Sequence, residues 1–258
     1  MLTVVKIGGA WLAAGAAGNP FADLAAIPGD VVVVHGGGKE ISRWLDRVGE
    51  PVEWADGLRV TRGDGLQLTA MVLSGWVNKR VVAALDGAGR PSVGISGEDG
   101  RLLQAERLDP ERYGEVGTVC AVDPGPLRAL LAGGFTPVVS PLSRGPEGDP
   151  LNVNADEAAI ALARALEADQ LLLISDVPGV LVDGKLIPSL TRKEADRLAA
   201  GGVIAGGMGV KVFQALSAAE AGVVVRIGDE GLLTGADGTR IVAGEHTSAS
   251  AAGGAALA

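Results

Sequence analysis

The stretch Val31–Glu40, VVVVHGGGKE, constrains the fold of this chain more than any other. Four consecutive valines predict a strand that is buried on both faces, as in a parallel sheet. Three glycines follow, and a helical pattern then runs from Glu40 to Val48. Glycines let the backbone approach an anion closely, and the first N–H groups of a helix have no partner inside it. The stretch predicts a βα turn suited to a phosphate or carboxylate, although a packed turn that binds nothing explains three glycines alone equally well.

Size, charge and cysteine content exclude several classes of protein. The 258 residues suffice for one large α/β domain or two small lobes. The net charge of −9 disfavours nucleic acid and anionic membranes as partners. No apolar stretch approaches the length of a membrane span, and the N-terminus lacks a signal-peptide pattern. Cys120 is the only cysteine, so we expect a reducing cytoplasm and interpret this residue as a small apolar filler. The two histidines, His35 and His246, cannot support a rich metal site.

The first strand, Leu2–Ile7, carries a lysine where an apolar residue is expected. Lys6 lies one residue before the end of this strand, which runs into Gly8 and Gly9. A charged residue in a buried strand needs a role or a partner; the alternative is an edge strand with its lysine in solvent. We favour a functional role, because strands alternate with helices along the chain and therefore predict a mostly parallel α/β sheet. Ligands of such sheets bind at the carboxyl ends of the strands.

Three later stretches carry further candidate residues. Asn152–Asp156 (NVNAD) precedes an alanine-rich helix, so Asn154 or Asp156 either caps that helix or binds a polar ligand. The glycine-dense stretch GGVIAGGMGVK ends at Lys211 and opens a helix from about Met208, with Lys211 in its first turn. Arg59 is either a solvated loop residue or a fork for a carboxylate.

The region from Arg62 to Leu85 has apolar residues at helical spacing. It predicts one long helix or two, with Gly75 as a weak point. Its apolar stripe is either a core face or a dimer surface.

The absence of several catalytic motifs narrows the chemistry. The sequence has no GxxxxGK[ST], no G-x-G-x-x-G after its first strand and no GxSxG. Two glycine turns, two neighbouring lysines and an aspartate remain. They suit phosphoryl transfer, which requires charge neutralisation and alignment more than a dedicated nucleophile.

Taken together, these motifs resemble the amino-acid kinase family and, within it, the acetylglutamate kinase branch. The resemblance covers Leu2 to Ala243 and rests on VVKIGGA (4–10), VVHGGGKEI (33–41), DGLRVT (56–61), VNKRV (77–81), GISGEDG (94–100), NVNADEAAIALA (152–163), LLISDVPGVL (172–181), GGMGVK (206–211) and GTRIVA (238–243). It implies an α/β fold, a three-layer αβα sandwich with a central, mostly parallel sheet. Residues 1–168 would form a lobe for acetylglutamate binding and dimerisation, residues 169–244 an ATP-binding lobe, and residues 245–258 a disordered tail.

The resemblance also implies a reaction and a site. ATP would phosphorylate the side-chain carboxylate of N-acetyl-L-glutamate by direct in-line transfer, early in arginine biosynthesis, with Mg²⁺ bound to the nucleotide and no metal held by the protein. Lys6 and Lys211 would stabilise the phosphoryl charge, and Asp156 would hold both lysines. The substrate would be bound by Gly36, Gly37, Arg59 and Asn152, with the last two gripping its α-carboxylate. ATP would be bound by Gly8, Gly9, Ser175, Asp176, Val177, Gly179, Val180, Gly207, Met208 and Gly209. The backbone N–H groups of Gly8, Gly9, Gly36 and Gly37 would contact phosphoryl oxygens.

Other members and other classes remain as alternatives. A sister enzyme that phosphorylates aminoadipate or glutamate attached to an acidic carrier protein would use the same core, and the basic residues near the mouth do not decide between the two. A catalytically silent ligand sensor is a further alternative, which the retained lysines and aspartate disfavour. Glutamate 5-kinase, aspartokinase and uridylate kinase fit less well. Because Met1 directly precedes the first strand, we expect a homodimer that is insensitive to arginine.

Overall fold

The structure, a computed structural model, describes residues 1–8, 20–204 and 206–244. The strands are β1 (Leu2–Ile7), β2 (Asp30–His35), β3 (Trp54–Ala55), β4 (Leu58–Arg59), β5 (Ser92–Ser96), β6 (Leu103–Arg107), β7 (Val116–Val122), β8 (Thr136–Ser140), β9 (Leu142–Arg144), β10 (Pro150–Val153), β11 (Gln170–Ile174), β12 (Leu181–Val182), β13 (Lys185–Leu186), β14 (Ser189–Thr191), β15 (Val224–Gly228) and β16 (Thr239–Val242). The helices are α1 (Pro20–Ala25), α2 (Gly38–Val48), α3 (Gly63–Ala70), α4 (Asn78–Gly87), α5 (Pro110–Tyr113), α6 (Gly125–Ala132), α7 (Ala155–Ala165), α8 (Arg192–Ala200) and α9 (Gly206–Glu220). Gly9, Ala205 and the predicted tail with His246 lie outside the described residues.

A central eight-stranded sheet has the order β14-β16-β15-β11-β1-β2-β8-β5. Its pairs are parallel except β15 with β16, which confirms the predicted mostly parallel sheet. Residues Val31–Val34 are all fully buried, as the valine run predicts for a strand covered on both faces. β1 lies beside β2, so Lys6 is in register with Val34 and the two glycine turns leave the same edge of the sheet.

Helices cover both faces of this sheet and form the three layers. Val4 belongs to one apolar cluster, which includes the buried faces of α7 and α9. Val5 and Ile7 belong to the other cluster, which includes residues of α2 and α4. Successive side chains of a strand point to opposite faces, so β1 contributes to both cores. The sheet continues across the predicted lobe boundary, because β1 pairs directly with β11.

One helical path runs from α3 through a π-helical segment, Met71–Val77, into α4. The predicted weak point, Gly75, lies inside this segment. The helix therefore does not break there but continues through seven π-helical residues, and such segments occur often at functional sites. Val77 and Val81 are fully buried, whereas Met71 and Trp76 are 62% and 46% exposed.

Smaller strands build a second, closed sheet of order β10-β7-β6-β9. Strands β6 and β7 pair in antiparallel orientation. The connection from β9 to β10 is short, because β9 extends to Arg144 and β10 begins at Pro150. The interpretation of Cys120 as a core filler is wrong: the residue is exposed, because only the first half of β7 is buried.

Among the described residues, none of the helices is both long and apolar enough for a membrane span.

Candidate active site

Lys6 and Lys211 are held by one carboxylate. The Nζ atom of Lys6 lies 2.9 Å from Oδ1 of Asp156, and the Nζ atom of Lys211 lies 2.9 Å from Oδ2. The three side chains are only 12%, 10% and 14% exposed for Lys6, Lys211 and Asp156 respectively. Two positive charges thus flank one negative charge in a site that is largely shielded from water. We call these three residues the lysine clamp.

The pKa values of the clamp reflect competition between burial and pairing. Burial by itself raises the pKa of the Asp156 carboxyl, but the charges of Lys6 and Lys211 outweigh it and hold that pKa below its ordinary value. Burial lowers the pKa of Lys211; Asp156 opposes this shift, and the charge of Lys6 adds to it. The two lysines and the one aspartate give the clamp a net positive charge.

Three separate elements bring the clamp together. Lys6 lies near the carboxyl end of β1, and Asp156 lies in the first turn of α7. Asn154 caps that helix by accepting from the N–H groups of Asp156 and Glu157, so the capping interpretation of Asn154 is confirmed. Because α9 begins at Gly206, before the expected Met208, Lys211 lies in its second turn and not in its first.

The clamp forms one wall of a cleft of about 330 Å³ at the carboxyl ends of β1 and β11. The lining residues, in chain order, are Lys6, Gly8, Gly38, Lys39, Ser42, Trp54, Ile174, Ser175, Asp176 and Lys211. A Cβ atom added at Gly8 would meet nothing within 4 Å among the described residues. Packing against the described residues therefore does not require a glycine here, and its backbone is open to the cleft.

A smaller cavity of about 170 Å³ adjoins the cleft, and the two share Gly38 and Trp54. Arg59 lines this cavity and is almost fully buried. One of its terminal nitrogens donates to the carbonyl of Gly38 at 2.8 Å and to Oγ of Ser42 at 2.6 Å. The other terminal nitrogen and Nε are buried without a partner among the described residues. Burial lowers the pKa of the guanidinium, and no described carboxylate pairs with it.

Unpaired buried N–H groups on an arginine are costly, and a bound carboxylate relieves that cost by accepting two hydrogen bonds. The arrangement favours the carboxylate fork over the solvated loop residue for Arg59. Asn152 lines the same cavity, and its amide donates to Oγ1 of Thr61 at 3.0 Å. Thr61 in turn donates to the carbonyl of Arg59, which ties the amide and the arginine into one network.

The glycine turn after β2 lies between the cavity and the cleft. Gly36 and Gly37 line the cavity, and α2 begins at Gly38 with no side-chain cap. The N–H group of Gly36, however, donates to the carbonyl of Ile7 at 3.0 Å. This corrects one expectation: the Gly36 N–H extends the ladder of β1 and β2, so the N–H groups open to a ligand begin at Gly37.

The predicted nucleotide residues fall into two groups. Ser175 and Asp176 line the cleft directly after β11. Val180 does not: it is fully buried, and its N–H donates to Oγ1 of Thr239 at 2.8 Å. Val180 therefore packs in the core and holds the loop after β11 through Thr239, and it does not line the cleft. The cleft as defined by its lining residues also does not include Val177, Gly179, Gly207, Met208 or Gly209.

Five residues that line the cleft are absent from the predicted site: Gly38, Lys39, Ser42, Trp54 and Ile174. Lys39 and Ser42 lie on α2, and Trp54 lies on the short hairpin of β3 and β4. Lys39 follows the glycines directly, which was an available signal. Trp54 was also conspicuous, because only 3% of the residues are aromatic. Its ring lies against Arg59, whose guanidinium carbon is 4.5 Å from the ring centroid.

The site as a whole can bind two anions side by side. The clamp and the cleft offer lysines and backbone N–H groups to a phosphate, and the adjoining cavity offers Arg59 and Asn152 to a carboxylate. Positioning two anionic reactants against fixed cations is what in-line phosphoryl transfer to an oxygen nucleophile requires. No group of three or more His, Cys, Asp or Glu side chains suited to a metal occurs among residues 1–8, 20–204 and 206–244.

Comparison with known proteins identifies several similar chains. The acetylglutamate kinase of Rubrobacter xylanophilus is 45% identical over 242 residues, which cover 90% of this chain and 92% of that protein. The acetylglutamate kinase of Geobacillus kaustophilus is 49% identical over 189 residues, 73% of each chain. The crystal structure of smu.665 from Streptococcus mutans UA159 aligns with a TM-score of 0.83 and 32% identity over 93% of this chain and 98% of that one. A model of the amino acid kinase family matches residues 1–229, and the chain therefore belongs to that family.

Proposed function

We propose that this chain is an ATP-dependent kinase that phosphorylates the side-chain carboxylate of N-acetyl-L-glutamate, a step of arginine biosynthesis. The observation that carries the proposal is the lysine clamp, whose two lysines line the cleft that adjoins the Arg59 cavity. We infer the identity of the substrate from the relatives named acetylglutamate kinase, which are 45% and 49% identical over most of the chain.

We assign one reactant to the cleft and the other to the Arg59 cavity. ATP would lie in the larger cleft, with its terminal phosphate against Lys6 and Lys211 and near the backbone of Gly8. Acetylglutamate would lie in the smaller cavity, with its α-carboxylate on Arg59 and Asn152. Its side-chain carboxylate would then face the clamp across Gly37 and Gly38.

In the proposed reaction, a carboxylate oxygen of acetylglutamate attacks the γ-phosphorus of ATP. The bond to the β–γ bridging oxygen breaks, ADP leaves, and an acyl phosphate forms without a phosphoenzyme. Lys6 and Lys211 would stabilise the charge that spreads over the phosphoryl oxygens, while Asp156 would keep both ammonium groups in place. Gly37 and Gly8 would add backbone N–H donors; Gly9, expected to do the same, lies outside the described residues.

Further residues around the cleft would complete the nucleotide-binding site. Ser175 and Asp176 would contact it directly, and Val177, Gly179, Gly207, Met208 and Gly209 would approach it from the adjoining loop and the start of α9. Mg²⁺ fits this site as a companion of ATP: Asp176 is the one carboxylate among the described residues that line the cleft, and Asp156 is engaged by two lysines. Mg²⁺ would be held mainly by phosphates and water, as is common for this ion.

A substrate panel tests the proposal. The protein is incubated with ATP and Mg²⁺ and with N-acetyl-L-glutamate, glutamate or α-aminoadipate, and hydroxylamine traps any acyl phosphate as a hydroxamate. We expect a hydroxamate from acetylglutamate alone, with equimolar ADP. Absence of turnover with every free amino acid would overturn the proposal and favour a carrier-protein-linked substrate or a silent sensor.

We further propose a homodimer, with the lobe of residues 1–168 making the contact. Met71 and Trp76 expose apolar surface on the π-helical segment, whose Leu73 lines the Arg59 cavity. Light scattering with the full chain should give about twice the mass of one chain. A monomer at micromolar concentration would contradict the proposal, and Trp76→Glu should convert a dimer into a monomer.

A further inference from the structure

His35 is a buried histidine that the proposed reaction does not use. It ends β2, directly before the glycine turn, and has no exposed surface. Its Nδ1 atom lies 2.9 Å from the carbonyl oxygen of Gly36, and its Nε2 atom lies 3.2 Å from Nδ2 of Asn78. Asn78, at the start of α4, is also fully buried. A fully buried pair of a histidine and an amide needs an explanation.

The partners determine which ring nitrogen carries the proton. A carbonyl oxygen only accepts, so the contact with Gly36 requires a hydrogen on Nδ1. An amide nitrogen only donates, so the contact with Asn78 requires a bare Nε2. Both conditions are met by the neutral Nδ1–H tautomer, and desolvation on burial keeps the ring neutral by lowering its pKa to about 4.

Asn78 is itself fixed by the surrounding backbone. Its Nδ2 atom also lies 2.9 Å from the carbonyl oxygen of Val138 and 3.3 Å from that of Ile95, both on strands of the central sheet, so the two amide hydrogens are shared among three acceptors that include Nε2 of His35. Its Oδ1 atom accepts from Lys79 at 3.1 Å. Asn78 therefore links the His35 ring to β5 and β8. The ring, fixed in this way, holds the Gly36 carbonyl in one orientation.

The carbonyl of Gly36 and the N–H of Gly37 belong to one peptide unit. That unit is trans, as are all peptide bonds of the described residues, so the two groups point in opposite directions. The His35 ring holds the carbonyl on the buried side, and the Gly37 N–H is consequently turned away from the core, toward the cavity that Gly37 lines. Among the described residues the Gly37 N–H has no hydrogen-bond partner. Two glycines in sequence would otherwise let this peptide rotate freely.

We propose that His35 is a positioning residue that orients the Gly36–Gly37 peptide so that the Gly37 N–H is presented to the transferring phosphoryl group or the attacking carboxylate. The inference rests on the proposed function and deepens it. His35 touches neither reactant and takes no proton in the reaction. His35 affects the reaction only by fixing the orientation of the Gly36–Gly37 peptide.

Matched substitutions test the role. Asn at position 35 can place an amide N–H near the position of Nδ1, whereas Gln reaches toward the position of Nε2 and leaves the Gly36 carbonyl without its donor. We expect His35→Gln and His35→Leu to lower kcat by about 10- to 100-fold, a fraction of what loss of a whole oxyanion donor costs. We expect His35→Asn to stay within about threefold of the wild type. KM for ATP should change little in all three.

The readouts separate positioning from simple stability. Thermal melting identifies folded variants, and Ser74→Ala, which removes a nearby hydrogen bond to Ser140 outside this network, is the stability control. A folded His35→Leu with the kcat of the wild type would overturn the inference, as would equal losses in the Asn and Gln variants. If the variants do not fold, imidazole ¹⁵N shifts of the wild type decide: an Nε2–H tautomer would refute the inference. Absence of any hydroxamate from the wild type would instead refute the proposed function and leave the tautomer result standing.

Discussion

Asp156 and Lys211 lie at the starts of two different helices, α7 and α9, and their charged atoms are 2.9 Å apart. Asp156 also binds Lys6 from β1, so a single carboxylate holds a strand and a second helix at the site. The pairing keeps two like charges close together, which would be unfavourable without the aspartate. The geometry of the clamp therefore depends on Asp156 more than on either lysine.

Replacing Asp156 with Asn should remove the charge while keeping the shape of the side chain. We expect kcat to fall by about 100-fold or more, because the lysines repel each other and lose their alignment. The alkaline limb of the kcat profile should also move to lower pH: Asp156 raises the pKa of Lys211, so its loss lets Lys211 deprotonate earlier. Steady-state kinetics across alkaline pH checks both effects. Asp196→Asn, on the exposed side of α8, is the control and should change neither.

Replacing Lys211 with Met separates a kinase from a silent sensor. Met retains most of the apolar stem but lacks the ammonium group, so we expect kcat to fall by about 1,000-fold with little change in nucleotide affinity. Turnover is measured by ADP release, and affinity by calorimetry. If turnover persists at the level of the wild type, Lys211 does not stabilise the transferring group and the clamp has a structural role only.

Replacing Arg59 with Lys should weaken the binding of acetylglutamate selectively. Lys keeps the positive charge but cannot offer two parallel N–H groups to a carboxylate. We expect KM for acetylglutamate to rise by about 10- to 100-fold, in line with the loss of one charge-assisted hydrogen bond, while KM for ATP stays within about threefold. Arg62→Lys is the matched control, since Arg62 is half exposed and lies outside both binding cavities. Equal effects of the two substitutions would argue against the carboxylate fork.

His35 should make the folded state sensitive to mild acid. Its pKa is about 4 in the folded state against 6.5 in the unfolded chain, so the unfolded state binds more protons between these values. The stability that the neutral ring maintains is complete above pH 6.5 and is lost as the pH falls toward 4. Between pH 7 and pH 5 we expect His35 to account for a loss of about 2 kcal/mol in the free energy of unfolding.

Urea unfolding at these two pH values measures that loss. The variant His35→Asn does not titrate in this range, so its free energy of unfolding should change less between pH 7 and pH 5 by about the same amount. A pH dependence that is identical in wild type and variant would contradict the buried neutral histidine.

The local sequence was sufficient to predict features that depend on a single strand, turn or helix end. The valine run and the glycines after it predicted a buried parallel strand and a βα turn, because burial on both faces demands continuous apolar residues. The N-cap of Asn154 was equally predictable, since a cap acts within one helical turn. The resemblance to the amino-acid kinase family, and not any single motif, predicted Lys6, Asp156 and Lys211 as one set.

Only the tertiary structure decided how those residues meet. The ion pairs of the clamp join β1, α7 and α9, and the cavity around Arg59 is closed by Trp54 from a two-residue strand that no local pattern predicts. The register of β1 against β2 assigned the Gly36 N–H to the ladder, and side-chain packing placed Val180 in the core and Cys120 at the surface. Sequence patterns report on neighbours along the chain, whereas burial, unpaired donors and shifted pKa values depend on partners that lie far away in the chain and close in space.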